Sequence, residues 1–168
     1  YVNPTYDVVS HSFGMFVNIY FITIFLLAIF AGFLLNGSSF KGYRELLRDT
    51  GYRSSFADRY SMPVCLMNLG FYGLTILLYI NFVMFISYGV GFTGPTTGAT
   101  FAALTFVFLG QHPKIVLPIF GGFIGIYLLN AAIVTLTGLN PGWTISSQGY
   151  INAAAFATGI CPLVGVYG

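Results

Sequence analysis

Residues 15–35 read MFVNIYFITIFLLAIFAGFLL, an unbroken run of 21 residues without a charged side chain. As an α-helix this run would reach about 30 Å, the thickness of the hydrocarbon core of a bilayer. Each Leu, Ile, Phe or Val near its centre favours insertion by roughly 0.3 to 0.6 kcal/mol. Together these residues outweigh the polar side chain of Asn18, so the run predicts a membrane-spanning helix.

The composition of the whole chain excludes a soluble globular fold. Hydrophobic residues make up 57% of the 168 residues, and charged residues only 6%. Soluble domains carry about 25% charged residues, and a globule with so few could not cover its surface with solvated groups. The net charge of +2 is also too small for a nucleic-acid surface, so we expect no nucleic-acid partner.

Two further apolar runs have the length of a full span, at residues 64–86 and 115–137. Two shorter apolar runs, at 96–110 and 151–160, each follow a stretch rich in Gly, Pro, Thr or Ser. The sequence therefore predicts an all-α integral membrane protein. It has about three full transmembrane helices and two short helices that are broken or re-entrant, within a single membrane domain covering residues 1–168.

Most of the charge lies in one segment, residues 36–61. This segment holds eight of the ten charged residues, five of them basic: Lys41, Arg44, Glu45, Arg48, Asp49, Arg53, Asp58 and Arg59. Loops rich in Lys and Arg remain on the cytoplasmic side of a membrane. We therefore expect a multi-pass protein of the cell membrane in which loop 36–61 faces the cytoplasm. Either a short surface helix or a solvated loop is consistent with the segment.

The two broken regions resemble each other at an offset of 51 residues. GFTGPTTGATFAA, starting at Gly91, aligns with GWTISSQGYINAA, starting at Gly142. Thr93 then matches Thr144, and Gly98 matches Gly149. This agreement predicts an internal repeat. If residues 96–110 span the membrane, the two copies point the same way, and if these residues re-enter, the copies are inverted.

Irregular backbone inside a bilayer must be shielded by protein or face a watery cavity, because unpaired N–H and C=O groups are costly in hydrocarbon. Paired broken helices are a recurring way to hold a solute near the membrane centre. Their N-termini offer N–H groups and the positive end of a dipole. We therefore predict a site for a small polar or anionic solute, formed by Thr93, Gly94, Thr96, Thr97, Gly98, Thr144, Ser146, Ser147, Gln148 and Gly149.

The leading hypothesis is a membrane permease or channel-like protein, and two alternatives remain open. In a structural or assembly protein, the small residues would only let helices pack closely and the hydroxyls would only cap helix ends. An intramembrane enzyme would need a nucleophile or an acid–base pair, for which His112 is the visible candidate. We expect no enzymatic activity.

No motif for nucleotide binding, zinc-dependent hydrolysis or a nucleophilic serine is present in the sequence. Cys65 and Cys161 both lie in apolar runs, where a buried free thiol is the ordinary state. His11 and His112 are the only histidines, and neither spacing nor neighbouring carboxylates suggest a metal site. We expect no cofactor and no metal.

Three runs resemble an uncharacterised bacterial family of polytopic membrane proteins, classed as a domain of unknown function. They are FKGYRELLRDTGYRSSFADRY from Phe40, GPTTGATFAALTFVFLGQHPKIVLPIFGG from Gly94, and FATGICPLVGVYG from Phe156. The resemblance implies a membrane topology class but no substrate. Because the chain starts at Tyr1 and family members are longer, we expect a fragment. Its expected partners are the lipid bilayer, an unknown small solute, and a second copy or the remainder of a longer chain.

Overall fold

The computed structural model describes residues 4–49, 56–86, 91–143 and 147–160, with the side chains of residues 4–11 and 160 outside that description. In these ranges the structure contains helices, turns and extended segments but no strand, which confirms the predicted all-α class. The α-helices are α1 (Pro4–Leu35), α2 (Tyr43–Leu46), α3 (Met62–Ile86), α4 (Gly94–Thr105), α5 (Pro113–Thr137) and α6 (Gln148–Ala157). A 3₁₀ helix follows α4 (Phe106–Leu109), and another follows α6 (Thr158–Ile160).

Three of these helices are long and apolar enough to cross a membrane, over Ser12–Leu35, Met62–Ile86 and Pro113–Thr137. The three spans predicted from the sequence end at the same residues as these helical segments, and they begin two or three residues later than the segments do. Pro63 and Pro113 explain the earlier starts of α3 and α5, because the first turn of a helix tolerates proline. The three predicted full spans are therefore confirmed.

Helices α1 and α3 form a closely packed antiparallel pair. A Cβ atom added to Gly32 would lie 2.6 Å from the Pro63 carbonyl oxygen, and one added to Gly70 would lie 2.5 Å from that of Phe25. Neither position could hold a larger side chain without separating the helices. Small residues at the crossing thus allow the two backbones to approach, as is common between helices in membranes.

Helix α4 and its 3₁₀ extension run along the full depth of this pair. At the start, Phe92 lies beside Gly14, which is roughly 30 Å along α1 from Leu35. At the end, the Phe108 carbonyl accepts a hydrogen bond of 2.9 Å from the backbone N–H of Phe56, in the charged segment. The two ends of residues 94–109 therefore lie at opposite ends of the bundle, and the segment does not turn back within it.

Helix α5 returns from the charged end, and α6 then runs in the same direction as α4. Gln148, at the start of α6, contacts Gly91, and Gly159, at its end, lies against the Phe106 ring. The short helices are therefore parallel. Their N-cap residues are Thr93 and Ser147, and Ser147 lies three residues beyond the position that an offset of 51 pairs with Thr93. The helix starts thus give the predicted repeat no additional support.

The charged segment is folded onto the end of the bundle. Tyr43, Leu46, Phe56 and Tyr60 are buried and form an apolar cluster with the first turns of α3, including Cys65. Its charged side chains Lys41, Arg44, Glu45 and Arg48 are exposed. The described part of the segment, residues 36–49 and 56–61, contains the short helix α2 and is not a free solvated loop, because its aromatic residues pack against α3.

Candidate functional site

The starts of α4 and α6 are joined by the side-chain amide of Gln148. Its Nε2 donates to the Gly91 carbonyl oxygen at 2.8 Å, and its Oε1 accepts from the Gly91 N–H at 3.0 Å. The amide therefore provides a hydrogen-bond partner for both the backbone N–H and the backbone C=O of Gly91, just ahead of α4. This half-buried pairing gives the backbone before α4 hydrogen-bond partners where it leaves helical geometry.

A second layer of hydrogen bonds surrounds Thr96, whose side chain is fully buried. Its hydroxyl accepts from Gln148 Nε2 at 2.7 Å and donates to Asn152 Oδ1 at 2.6 Å. Asn152 Oδ1 also lies 3.2 Å from Gln148 Nε2. Since the Gln148 amide has only two hydrogens for three nearby acceptors, these bonds compete. The network formed by Gly91, Thr93, Thr96, Gln148 and Asn152 is called the polar clamp below.

Each short helix begins with a hydroxyl cap. Thr93 and Thr96 form a capping box, in which the Thr93 hydroxyl accepts from the Thr96 N–H at 3.4 Å and the Thr96 hydroxyl accepts from the Thr93 N–H at 3.3 Å. At α6, the Ser147 hydroxyl accepts from the Tyr150 N–H at 3.4 Å. Ser and Thr are preferred at such positions because they satisfy N–H groups that have no partner within the helix. These caps set where both helices start.

The face outside the polar clamp is open. Gly94 and Gly98 lie one helical turn apart on α4, and Gly149 lies in the first turn of α6. All three are exposed, and among the described residues no atom would lie within 4 Å of a Cβ added to any of them. With respect to the part of the chain that the structure describes, these glycines have free space beside them and do not mediate close packing.

The structure brings together most of the predicted site residues, but in different roles. Thr93, Thr96 and Gln148 belong to the polar clamp, and Ser147 caps α6. Thr97 is half-buried, and its hydroxyl donates to the Thr93 carbonyl at 2.9 Å. Gly94, Gly98 and Gly149 line the open face. Thr144 and Ser146 lie outside the described residues.

Sequence reasoning missed Asn152 and did not assign a role to the Gly91 peptide group. Asn152 lies four residues after Gln148, so both side chains occupy one face of α6. The four-residue spacing of these two amide side chains was the feature of the sequence that could have identified Asn152. The location also differs from the expected membrane centre, because the clamp lies near the end of the bundle where Phe92 contacts Gly14.

Polar side chains within the three long helices bond to other helices or to backbone. Asn18 and Asn81 exchange two hydrogen bonds across α1 and α3, of 2.6 and 3.0 Å. Asn68 Nδ2 donates to the Gln111 carbonyl at 2.7 Å, and Asn130 Oδ1 accepts from the Trp143 N–H at 3.0 Å. All four asparagines therefore make the inter-segment bonds that are usual for polar residues within spans.

The predicted polar turn before α5 is buried at the charged end of the bundle. Gln111 and His112 are fully buried, and the Gln111 side chain accepts a hydrogen bond from the Tyr72 hydroxyl. His112 Nε2 lies 3.0 Å from the Asp49 carbonyl oxygen, which can only accept, so Nε2 carries the proton. Burial lowers the pKa of His112 below its usual range, more than contact with Asp49 raises it. His112 is therefore held neutral at physiological pH.

No group of three or more His, Cys, Asp or Glu residues that could hold a metal ion occurs within the described ranges. The charged part of the chain instead forms a local network, in which Asp49 Oδ2 lies 3.0 Å from the Tyr60 hydroxyl and 3.6 Å from Arg59 Nη1. These contacts fix the peptide whose carbonyl meets His112. His112, the residue that an intramembrane enzyme would require, therefore has a structural role in the fold.

Comparison with known proteins places the chain in a family. Residues 35–168 match the model of DUF1576, described as a protein of unknown function, so the chain belongs to that family. The match covers the polar clamp, α3 to α6 and the charged segment. No curated protein and no solved structure matches the chain.

Proposed function

We propose that this member of the DUF1576 family is a permease or channel-like protein that passes a small polar or anionic solute between the starts of α4 and α6. One observation carries the proposal: Gln148 joins to Gly91 and thereby holds two parallel helix N-termini side by side. In transport proteins the N-termini of broken helices are a recurring means of binding anionic solutes, at sites near the membrane centre.

Electrostatics favours an anion or a polar neutral solute. Each helix N-terminus carries the equivalent of roughly half a positive charge. Neither α4 nor α6 contains a charged side chain, so no carboxylate in these helices opposes that field. The caps take up part of each first turn, because the N–H groups of Thr96 and Tyr150 bond to Thr93 and Ser147, and Pro95 has no N–H. The proposed donors to an anion are the N–H groups of Gly94, Gln148 and Gly149. A solute held there would need no basic side chain.

The open glycines supply the space for a solute. With Gly94, Gly98 and Gly149 exposed, the backbone can be approached more closely than any larger residue would allow. The hydroxyls of Thr97 and Ser147 lie at the half-buried border of this face and could add further contacts. We include Thr144 and Ser146 in the proposed site on sequence grounds alone.

We further propose that the site lies on the outer side of the cell membrane. If the charged segment, residues 36–61, faces the cytoplasm, as its five basic residues favour, the starts of α4 and α6 lie at the opposite surface. The solute would then enter from outside the cell. Enzymatic chemistry is not part of this proposal, because Nε2 of His112 is bonded to a backbone carbonyl and its ring is buried.

The second candidate is a structural or assembly membrane protein. It is supported by α5, because only 6% of the residues in the most apolar 18-residue stretch of this helix are buried. Leu128, Leu129 and Leu136 are among its exposed residues. Under this hypothesis a second copy or another part of a longer chain packs on α5, and the polar clamp only fixes the arrangement of helices. Both candidates agree with the fold.

A flux assay with a panel of solutes separates the two candidates. Purified protein in liposomes would be tested with chloride, nitrate, phosphate, acetate, glycerol and urea, with protein-free liposomes as the control. The transport proposal expects faster flux of at least one anion or polar solute than in the control liposomes. If every solute crosses at the control rate while the protein is folded and inserted, the structural candidate is the better one.

A further inference from the structure

A second polar site lies at the other end of the bundle, where α1 ends and α3 begins. It is a cleft of about 280 Å³ bordered by α2 and the flanking turns, with Lys41, Glu45 and Arg59 among its lining residues. This volume lies slightly below the usual range of ligand sites, about 300–1,000 Å³. The cleft therefore suits a compact polar group, not a bulky ligand.

The wall that carries Lys41 is held in a defined position. Asn36 Nδ2 donates to the carbonyl oxygens of Ser39 at 2.7 Å and Lys41 at 3.0 Å, which closes the turn after α1. Gly42 then adopts φ +85°, a left-handed conformation that favours glycine. A Cβ added to Gly42 would lie 3.3 Å from Val64 Cγ2 on the opposite wall. The cleft is therefore a formed feature of the fold.

The charges in the cleft are of both signs. Arg59 lies 3.6 Å from Asp49 and is partly neutralised by it. Lys41 and Glu45 have no ion-pair partner in the part of the chain that the structure describes, and both are exposed. Among the described residues, the cleft thus offers a cation, Lys41, and an anion, Glu45, that are not in an ion pair. A ligand that carries both charges complements it better than a simple anion does.

We propose that this cleft binds the headgroup of an ethanolamine phospholipid, with the phosphate at Lys41 and the ammonium group at Glu45. The ends of two apolar helices lie at the level of the headgroups in a bilayer. Leu35, at the end of α1, is 70% exposed and Met62, at the start of α3, is 61% exposed, which provides apolar surface for acyl chains beside the cleft.

Free phosphate could reach the same lysine, but it fits the cleft less well. It has no positive group for Glu45, whose carboxylate would repel it, and no apolar part for Leu35 and Met62. The lipid site lies at the end of the bundle opposite the polar clamp, so its presence does not depend on the proposed transport function.

Native mass spectrometry of the detergent-purified protein tests this proposal. The wild type, Lys41→Ala and Glu45→Gln would be titrated with phosphatidylethanolamine and with phosphatidylglycerol, and inorganic phosphate would be the competitor. Lys114→Ala is the matched control, because Lys114 is an exposed lysine at the same end of the bundle outside the cleft. Size-exclusion profiles would show that each variant is folded.

We expect Lys41→Ala to bind phosphatidylethanolamine about fivefold more weakly, the effect of one lysine near a lipid surface. Lys114→Ala should bind like the wild type, and Glu45→Gln should lose the preference for phosphatidylethanolamine over phosphatidylglycerol. Equal binding by Lys41→Ala and the wild type would overturn the site. Displacement by millimolar inorganic phosphate would assign it to free phosphate, and equal binding of both lipids by the wild type would overturn the role of Glu45.

Discussion

The Gln148 side-chain amide donates a hydrogen bond of 2.8 Å to the Gly91 carbonyl and accepts one of 3.0 Å from the Gly91 N–H. The two residues are 57 positions apart, and their pairing fixes the start of α6 against the segment that enters α4. A side-chain amide is suited to this role because it offers a donor and an acceptor side by side, which match the C=O and N–H of a single residue. The relative placement of the two short helices depends on this contact.

Gln148→Leu should destabilise the protein by roughly 1–3 kcal/mol, because it leaves the Gly91 N–H without its partner and the Gly91 C=O with only the 3.4 Å contact to the Thr96 hydroxyl. Leucine is close to glutamine in size, so lost packing contributes little. Thermal unfolding in detergent micelles would measure the change. An unfolding midpoint equal to that of the wild type would show that the pairing does not hold the helices together.

Thr96→Val and Thr97→Val form a matched pair of adjacent substitutions on α4. Thr96→Val removes a fully buried hydroxyl that bonds to Gln148 and Asn152, so we expect a cost of roughly 1–3 kcal/mol. Thr97→Val removes only a bond to the carbonyl of Thr93 on the preceding turn, and stability should change by less than about 0.5 kcal/mol. Equal effects on the unfolding midpoint would contradict the distinction.

Thr97→Val should nevertheless reduce solute flux, because its hydroxyl lies at the border of the open glycine face. The protein level in the membrane should stay at that of the wild type. Flux in liposomes and immunoblotting of membranes would measure the two quantities separately. Unchanged flux would remove Thr97 from the proposed site and leave its hydroxyl with a local structural role only.

Stability should decrease as the pH falls below about 6.5, the usual pKa of histidine. Burial lowers the pKa of His112 in the folded protein, so the unfolded chain takes up the proton first and is favoured at lower pH. The unfolding midpoint measured between pH 8 and pH 5 should show this decrease. His112→Gln should reduce the pH dependence, whereas the control His11→Gln should retain it. An identical pH dependence in His112→Gln would contradict the assignment.

The sequence predicted the three long spans well because hydrophobic length alone decides them. The starts of the short helices were harder to place. Gly94 begins α4 and Gln148 begins α6, several residues before the apolar runs that mark them in the sequence. Clusters of glycine, proline, threonine and serine are read as loops from sequence, yet here the caps Thr93 and Ser147 start helices among them.

Contacts between distant segments could not be read from the sequence. His112 meets the carbonyl of Asp49 across 63 positions, and neither residue type indicates a backbone bond. Asn152 in a run of alanines gives no sign of its partner Thr96, because any asparagine in a span can bond to several neighbours. Whether residues 96–110 span or re-enter was equally undetermined, since it depends on where Phe108 and Phe92 pack.

Flux in liposomes carrying Gly98→Leu tests the central claim most directly. Gly98 and the control Gly125 are both exposed helical glycines without a neighbour within 4 Å of an added Cβ among the described residues, so leucine at either position should preserve the fold. The account predicts that Gly98→Leu abolishes flux of the transported solute while Gly125→Leu retains it, at equal protein levels. Wild-type flux through Gly98→Leu would show that no solute passes beside the starts of α4 and α6.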